Sequence, residues 1–142
     1  MPEASFYILQ SSSTTERHLL ACKLIEKAYR LKQYCYVYTD SYQQSQQIDN
    51  QLWTFRAGSF IPHQIYDDNI PDNEKTILIG TQSAPEKWQK LIINLSSKYP
   101  ADLTHTDRVL EVLDNNEEIK QSGRHRFRQY NQAGFNTTTH KI

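Results

Sequence analysis

The chain has 142 residues and a formal net charge of zero, with 16 basic and 16 acidic side chains. The length predicts a single domain over residues 1–142, and the neutral total argues against a generic binder of nucleic acid or anionic membranes. Apolar residues make up only 37 % of the chain, and no apolar run approaches the roughly 18 residues that cross a membrane.

The N-terminal half alternates short apolar runs with helical patterns, which is typical of βαβ units. Strands are predicted at residues 5–9, 34–38 and within 58–66. Helices are predicted between them, at residues 16–31 and 42–54. Thr14 or Thr15 should cap the first helix, and the second should turn Ile48, Leu52 and Trp53 inward.

The C-terminal half continues this alternation after a polar connection at residues 67–75. Strands are predicted at residues 76–79, 91–95 and 108–113, the last strand of the chain. Asp114 and Glu117 have the spacing of a capping box, and they should begin a helix that runs to about Gln132 and stops at Gly134. The pattern predicts an α/β fold with a mostly parallel sheet and helices on both faces.

The glycines are too far apart for the phosphate-binding loops of many α/β proteins. Such a loop needs closely spaced glycines, so that backbone N–H groups can approach the anion. Each of the four glycines is more than ten residues from the next, so neither GxGxxG nor a GxxxxGKS or GxxxxGKT motif occurs. The sequence therefore excludes these two phosphate-binding motifs and leaves nucleotide binding by other means open.

Cys22 and Cys35 are expected to be buried, apolar thiols. They lack the spacing of metal ligands, and two sulfurs cannot form a disulfide scaffold. The first ten residues lack the basic and apolar regions of a signal peptide. These features favour a reducing, cytoplasmic location, with no metal and no membrane partner.

An enzyme is the least favoured interpretation, because GxSxG and HExxH are absent. Asp40 follows a predicted strand and is interpreted as a turn or helix-cap residue. His63 lies near Asp67 and Asp68, which we interpret as solvated loop acids. A small phosphohydrolase using Asp40 or this acid pair remains the enzymatic alternative.

The predicted C-terminal helix carries two cations and a ring on one stripe. Lys120, Arg124 and Phe127 fall within about 60° of arc. Arg128 borders the stripe, and Leu113 precedes the helix closely enough to join it. Such a surface suits an anionic ligand with an apolar end. The structural alternative is a solvated basic face with Phe127 in the core.

The zero net charge hides an uneven distribution. Residues 119–142 contain five basic side chains and no acid, so residues 1–118 carry a net charge of −5. Within the basic end, Gly123 weakens its helix by about 1 kcal/mol relative to alanine, which indicates a close approach by another chain or by another element of this one. The split places a local anion-binding site on the last helix, while the rest of the chain is acidic.

A second constellation combines Trp53 with residues 59–63, SFIPH. Trp53 and Phe60 bracket a polar turn, with Pro62 nearby. Either both rings belong to the core, or they form an exposed apolar patch that needs a partner.

These residues resemble the chi subunit family of bacterial DNA polymerase III, and the resemblance spans the whole chain. Its motifs are FYIL at residues 6–9, Leu52-Trp53 with SFIPH at 59–63, ILI at 77–79, and RFRQYNQAGFN at 126–136. The tryptophan with SFIPH and the AGFN ending are specific only in combination.

The resemblance implies a non-enzymatic adaptor of the clamp loader in DNA replication. It also implies a Rossmann-like α/β fold without a nucleotide site or a cofactor. It implies a site for the acidic, Phe-terminated tail of single-stranded DNA-binding protein (SSB) on Leu113, Lys120, Arg124, Phe127 and Arg128. It also implies a surface for the psi subunit on Trp53, Phe60 and Pro62. A helicase-type partner is the alternative occupant of that second surface, and DNA would be contacted only indirectly.

Direct binding of single-stranded nucleic acid is the competing hypothesis. It would use the cations Lys120, Arg124, Arg126 and Arg128, with Phe127 and Tyr130 stacking on bases.

Overall fold

A computed structural model describes residues 2–55, 60–71 and 76–142 of the chain. The strands are β1 (Glu3–Ile8), β2 (Cys35–Tyr38), β3 (His63–Ile65), β4 (Ile77–Gly80), β5 (Leu91–Asn94), β6 (Arg108–Leu113) and β7 (Asn136–Lys141). The α-helices are α1 (Thr14–Arg30), α2 (Tyr42–Thr54) and α3 (Glu117–Gln132), and a 3-10 helix spans Glu86–Gln89. Ser59 of the SFIPH motif and residues 72–75 of the polar connection lie outside the described ranges.

The seven strands form one sheet in the order β3-β4-β2-β5-β6-β1-β7. Every strand pair within the described residues is parallel. The predicted α/β class with a parallel sheet is confirmed. Because β1 lies between β6 and β7, Ile8 pairs with both Leu113 and Lys141 at the carboxyl ends of these strands.

The sheet separates two hydrophobic clusters, one on each face. One cluster packs α1 and α2 against the sheet and includes the buried Ile25 and Ile48. The other packs α3 and the 3-10 helix against the opposite face and includes the buried Trp88 and Tyr130. Helices cover both faces, as the alternation of elements predicts.

Two helix starts differ from the predicted caps. The Oγ atom of Ser13, one residue before Thr14, accepts from the Glu16 N–H at 3.2 Å and caps α1. Asn116, rather than Asp114, caps α3, because its Oδ1 atom accepts from the N–H of Glu118 at 3.0 Å.

Asp114 is buried before α3, and its Oδ1 atom accepts from the Asn116 N–H at 2.8 Å. The predicted capping box is wrong, since this carboxylate holds the turn that precedes the helix.

The C-terminal end of α3 confirms the predicted stop. Gly134 adopts a φ of 89°, which a glycine reaches without steric cost. The Phe135 N–H donates to the Tyr130 carbonyl at 3.0 Å and the Gly134 N–H to that of Asn131 at 3.2 Å, the two bonds of a Schellman motif. The Phe135 and Tyr130 rings also pack, with centroids 5.3 Å apart.

The prediction that residues 108–113 form the last strand is wrong, because β7 follows α3. Strand β7 is polar (NTTTHK), and most of its residues are exposed at the sheet edge. It therefore lacks the apolar alternation from which the other strands are predicted.

Candidate functional site

Helix α3 crosses over β1 to connect β6 with β7. This follows from the sheet order, in which β1 separates the two strands that α3 joins. Phe6 of β1 therefore lies beneath the helix, and its ring packs edge-on against Phe127 with centroids 5.2 Å apart. The crossover leaves an open pocket between α3 and the carboxyl ends of β1, β6 and β7.

This pocket, called the α3 pocket below, has a volume of about 300 Å3. It is lined by Phe6, Ile8, Leu113, Lys120, Gly123, Arg124, Phe127, Arg128 and Thr139. The five residues predicted as one anion site are all in this set. The size lies at the lower end of the roughly 300–1,000 Å3 typical of ligand pockets.

The apolar part of the α3 pocket depends on Gly123. A Cβ atom at this position would lie 2.5 Å from Cδ1 of Leu113, which real Cβ contacts do not allow. The glycine therefore lets α3 approach the end of β6, and the close approach suggested by the sequence is confirmed. Phe127 is half-buried: it packs on the core beneath α3 and also lines the pocket.

The rim of the α3 pocket is cationic, and its two central cations share an acid. The Lys120 ammonium lies 3.7 Å from one carboxylate oxygen of Glu117, and Arg124 Nη1 lies 3.8 Å from the other. Lys120 also donates to Oδ1 of Asn115 at 3.1 Å. The Lys120 side chain is 28 % exposed and that of Arg124 59 %, so both remain accessible.

Arg126, on the opposite side of α3, is buried in an ion pair. Its Nε and Nη2 atoms each donate to the Glu111 carboxylate at 3.0 Å, and Glu111 is fully buried in β6. Glu111 also accepts from the Tyr130 hydroxyl at 2.7 Å and from the Asn94 amide at 2.8 Å. Burial raises the pKa of Tyr130 well above its usual range, and Glu111 raises it further, so this hydroxyl stays protonated as a donor.

This burial contradicts the residue set of the nucleic-acid hypothesis. Arg126 is 2 % exposed and its charge is already paired, while Tyr130 is fully buried and cannot stack on a base. Of the four cations in that hypothesis, Lys120, Arg124 and Arg128 remain accessible and Arg126 does not.

The second constellation forms an exposed patch, called the Trp53 patch below. Trp53 is 58 % exposed and Phe60 62 %, and their ring centroids lie 5.5 Å apart. The predicted inward position of Trp53 is wrong, whereas Ile48 and Leu52 are buried as predicted. The Trp53 ring also packs edge-on against His63 at 5.0 Å, and half-buried Pro62 lies between Phe60 and His63 in the chain.

The remaining polar candidates make structural contacts. Asp40 accepts from the N–H and hydroxyl of Ser97 at 2.8 and 3.0 Å, so it holds a neighbouring loop. The interpretation of Asp40 as a helix cap is wrong, because Ser41 caps α2. The His63 ring nitrogens face the Ile61 carbonyl at 2.6 Å and the Asp49 carboxylate at 3.3 Å.

Cys22 and Cys35 are buried and free, as predicted. Burial raises the pKa of Cys22 to about 12 and that of Cys35 further. Across residues 2–55, 60–71 and 76–142, no three His, Cys, Asp or Glu side chains form a group that could hold a metal. No helix in the described part of the chain is both long and apolar enough to cross a membrane.

Several pocket residues were not identified from the sequence. The sequence predicts Phe6 and Ile8 only as strand residues, because their role in the pocket depends on the sheet order. Thr139 belongs to the strand that was missed, although three consecutive threonines after a helix stop are a usable strand signal. Glu117 was identified only as a capping residue, yet its i+3 and i+7 neighbours are the two central cations.

Comparison with known proteins agrees with the motifs described above. The family model described as DNA polymerase III chi subunit, HolC, matches residues 1–138. DNA polymerase III subunit chi of Pseudomonas aeruginosa is 30 % identical over 142 residues, which cover 100 % of this chain and 98 % of the relative. The same subunits of Escherichia coli and Haemophilus influenzae are 23 % and 25 % identical, over 98 % of this chain and 97 % and 96 % of the relatives. The resemblance is thereby confirmed: the chain belongs to the DNA polymerase III chi subunit family.

Proposed function

We propose that this protein is a non-catalytic accessory subunit of DNA polymerase III, and that its α3 pocket binds the acidic, Phe-terminated tail of SSB. One observation carries the proposal: Leu113, Lys120, Arg124, Phe127 and Arg128 line a single pocket with a cationic rim and an apolar floor. That combination suits a peptide whose last residue has both a carboxylate and an aromatic ring.

Each part of the pocket has a role in this mechanism. Arg124 and Lys120 pair with tail carboxylates, including the terminal one, while Arg128 adds positive charge at the rim. Leu113 and Phe127, with Phe6 beneath, surround the terminal ring. A contact of this size should be micromolar and should weaken with salt, because exposed charges are screened over about 8–10 Å.

Arg124→Ala is expected to weaken binding of an acidic peptide ending in phenylalanine by about tenfold. The substitution removes the more exposed of the two central cations and leaves the floor of the pocket unchanged. Isothermal titration or fluorescence anisotropy at low salt measures the effect.

Arg108→Ala is the matched control, because Arg108 is exposed at the opposite end of β6 from Leu113. It removes the same charge and should leave the affinity unchanged. Equal affinities of Arg124→Ala and wild type would remove this site assignment. Strong binding of the wild type to a bare oligonucleotide would favour the nucleic-acid hypothesis instead.

The Trp53 patch is proposed as the surface for the psi subunit, through which the protein would join the clamp loader. Support comes from the exposure of Trp53 and Phe60 side by side, since large adjacent rings at a surface mark interaction sites. Tryptophan is also among the residues that contribute most to binding energy at protein interfaces.

Trp53→Ala is expected to weaken psi binding at least about tenfold, with less than about 1 kcal/mol lost in the free energy of unfolding. Co-purification with psi and thermal unfolding provide the two measurements. Tyr42→Ala is the matched control, because Tyr42 is 63 % exposed at the first position of the same helix, α2. If Trp53→Ala unfolds the protein, or if Tyr42→Ala loses psi equally, the assignment is wrong.

A further inference from the structure

Glu117 forms ion pairs with the two cations that the proposed ligand would need. Its two carboxylate oxygens are divided between Lys120, at 3.7 Å, and Arg124, at 3.8 Å. The three residues are spaced by three and four along α3, so they lie on one stripe of the helix. An acidic ligand that enters the α3 pocket must therefore compete with a carboxylate of the protein itself.

We propose that the Glu117 carboxylate competes with ligand carboxylates for Lys120 and Arg124. Because a ligand must displace Glu117, its affinity for the α3 pocket is lower than it would be without this side chain. The inference rests on the proposed function of this pocket as a site for an acidic peptide. This competition favours ligands with more negative charge over weakly charged ones, so Glu117 is a specificity residue.

The positions of the three side chains make such an exchange inexpensive. The Glu117 side chain is 73 % exposed, so it can rotate into water without breaking a buried contact. Lys120 keeps its hydrogen bond to Asn115 when Glu117 leaves, and stays at the rim. Exposed ion pairs of this length are weak enough for a ligand carboxylate to replace them.

The neighbouring acid, Glu118, supplies a matched control. It lies in the same first turn of α3, so it has a similar influence on the helix dipole. It lines a different cleft, together with Arg17, Ser97 and Arg126, on another side of the helix. Glu117→Gln and Glu118→Gln change the net charge equally, but only the first frees the pocket cations.

Titration of an acidic peptide ending in phenylalanine tests the inference. Glu117→Gln should bind it about two- to fivefold more tightly than wild type, the range expected from losing an exposed ion pair. Glu118→Gln should bind like wild type. The gain should be smaller when Glu117→Gln is compared with its parent in an Arg124→Ala background, where only Lys120 is left to be freed. It should disappear with a peptide whose carboxylates are replaced by amides.

The outcomes separate this inference from the proposed function. If wild type binds the peptide and Glu117→Gln binds no more tightly, Glu117 is not a competitor, although the α3 pocket remains the site. An equal gain in Glu118→Gln would mean that net charge alone sets the affinity and would also overturn the inference. If the peptide binds neither wild type nor the variants, the proposed function fails and this inference fails with it.

Discussion

Arg126→Met is expected to lower the free energy of unfolding by about 3–5 kcal/mol. The substitution leaves the fully buried Glu111 carboxylate without the cation that donates hydrogen bonds to it, and its remaining donors, the Tyr130 hydroxyl and the Asn94 amide, are neutral. Arg17 is close enough to attract Glu111 through its charge, but its own hydrogen bonds go to backbone carbonyls. This loss measures the penalty of leaving a buried carboxylate without its hydrogen-bonded cation. It is larger than the net contribution of the ion pair to stability. Urea denaturation of wild type and variant measures it.

Two further variants distinguish a buried charge from a generic effect on the helix. Arg124→Met makes the same change on the exposed side of α3, and should cost less than about 0.5 kcal/mol. Adding Glu111→Gln to Arg126→Met should recover part of the loss, because a neutral amide is cheaper to bury than a carboxylate. A loss below about 1 kcal/mol in Arg126→Met, or strict additivity of the two substitutions, would contradict this account.

This ion pair also positions the proposed site. Glu111 lies on β6 two residues before Leu113, and Arg126 lies on α3 next to Phe127. The two hydrogen bonds between them therefore fix α3 to β6 beside Leu113 and Phe127, which both line the pocket. Arg126 also donates to the Ser97 carbonyl at 3.0 Å, which ties the helix to the loop after β5.

Local patterns in the sequence were sufficient to predict much of the fold and the α3 stripe. The buried strands are short apolar runs between polar segments, and burial on both faces gives that signal directly. The stripe of Lys120, Arg124 and Phe127 follows from helical geometry alone, which does not depend on the rest of the fold.

The features that were missed depend on tertiary structure. Strand β7 is polar because it lies at the sheet edge and has little to bury, so no apolar pattern marks it. Helical spacing alone presents Arg126 as one more cation of α3, because it cannot show that a strand acid 15 residues earlier faces this side chain. The signal was Glu111 itself, a lone acid within the apolar run RVLEVL, which must find a partner if the strand is buried.

Trp53 shows that an apolar pattern can also assign an exposed residue to the core. Its spacing after Ile48 and Leu52 assigned it to the core, yet the ring is exposed. An apolar residue at the margin of a helical stripe can serve the core or a partner, and sequence periodicity does not distinguish the two. The sheet and α1 occupy the Ile48 side of α2, which leaves Trp53 at the surface.

Acidification from pH 6.5 to pH 4 is expected to destabilise the fold through His18, by about 2–3 kcal/mol when partial solvent screening is allowed for. His18 is 3 % exposed, and its burial, together with the adjacent Arg17 cation, lowers its pKa to about 4 against the opposing effect of Asp114. Its Nε2 atom lies 3.3 Å from the Gln44 amide nitrogen, which a neutral imidazole can accept from and an imidazolium cannot.

The sign follows from which state binds the proton first. Below pH 6.5 His18 is protonated in the unfolded chain but not in the folded protein. The free energy of unfolding therefore decreases as the pH is lowered, until His18 is also protonated in the folded protein near pH 4. Arg17 cannot move aside, because its guanidinium donates to the Val112 and Leu95 carbonyls at 2.8 and 2.9 Å.

Other groups also titrate in this range, so the test compares the slopes of unfolding free energy against pH. His18→Gln keeps an acceptor for Gln44 and should flatten the curve of unfolding free energy against pH between 6.5 and 4, whereas parallel curves for variant and wild type would show that His18 contributes no such term.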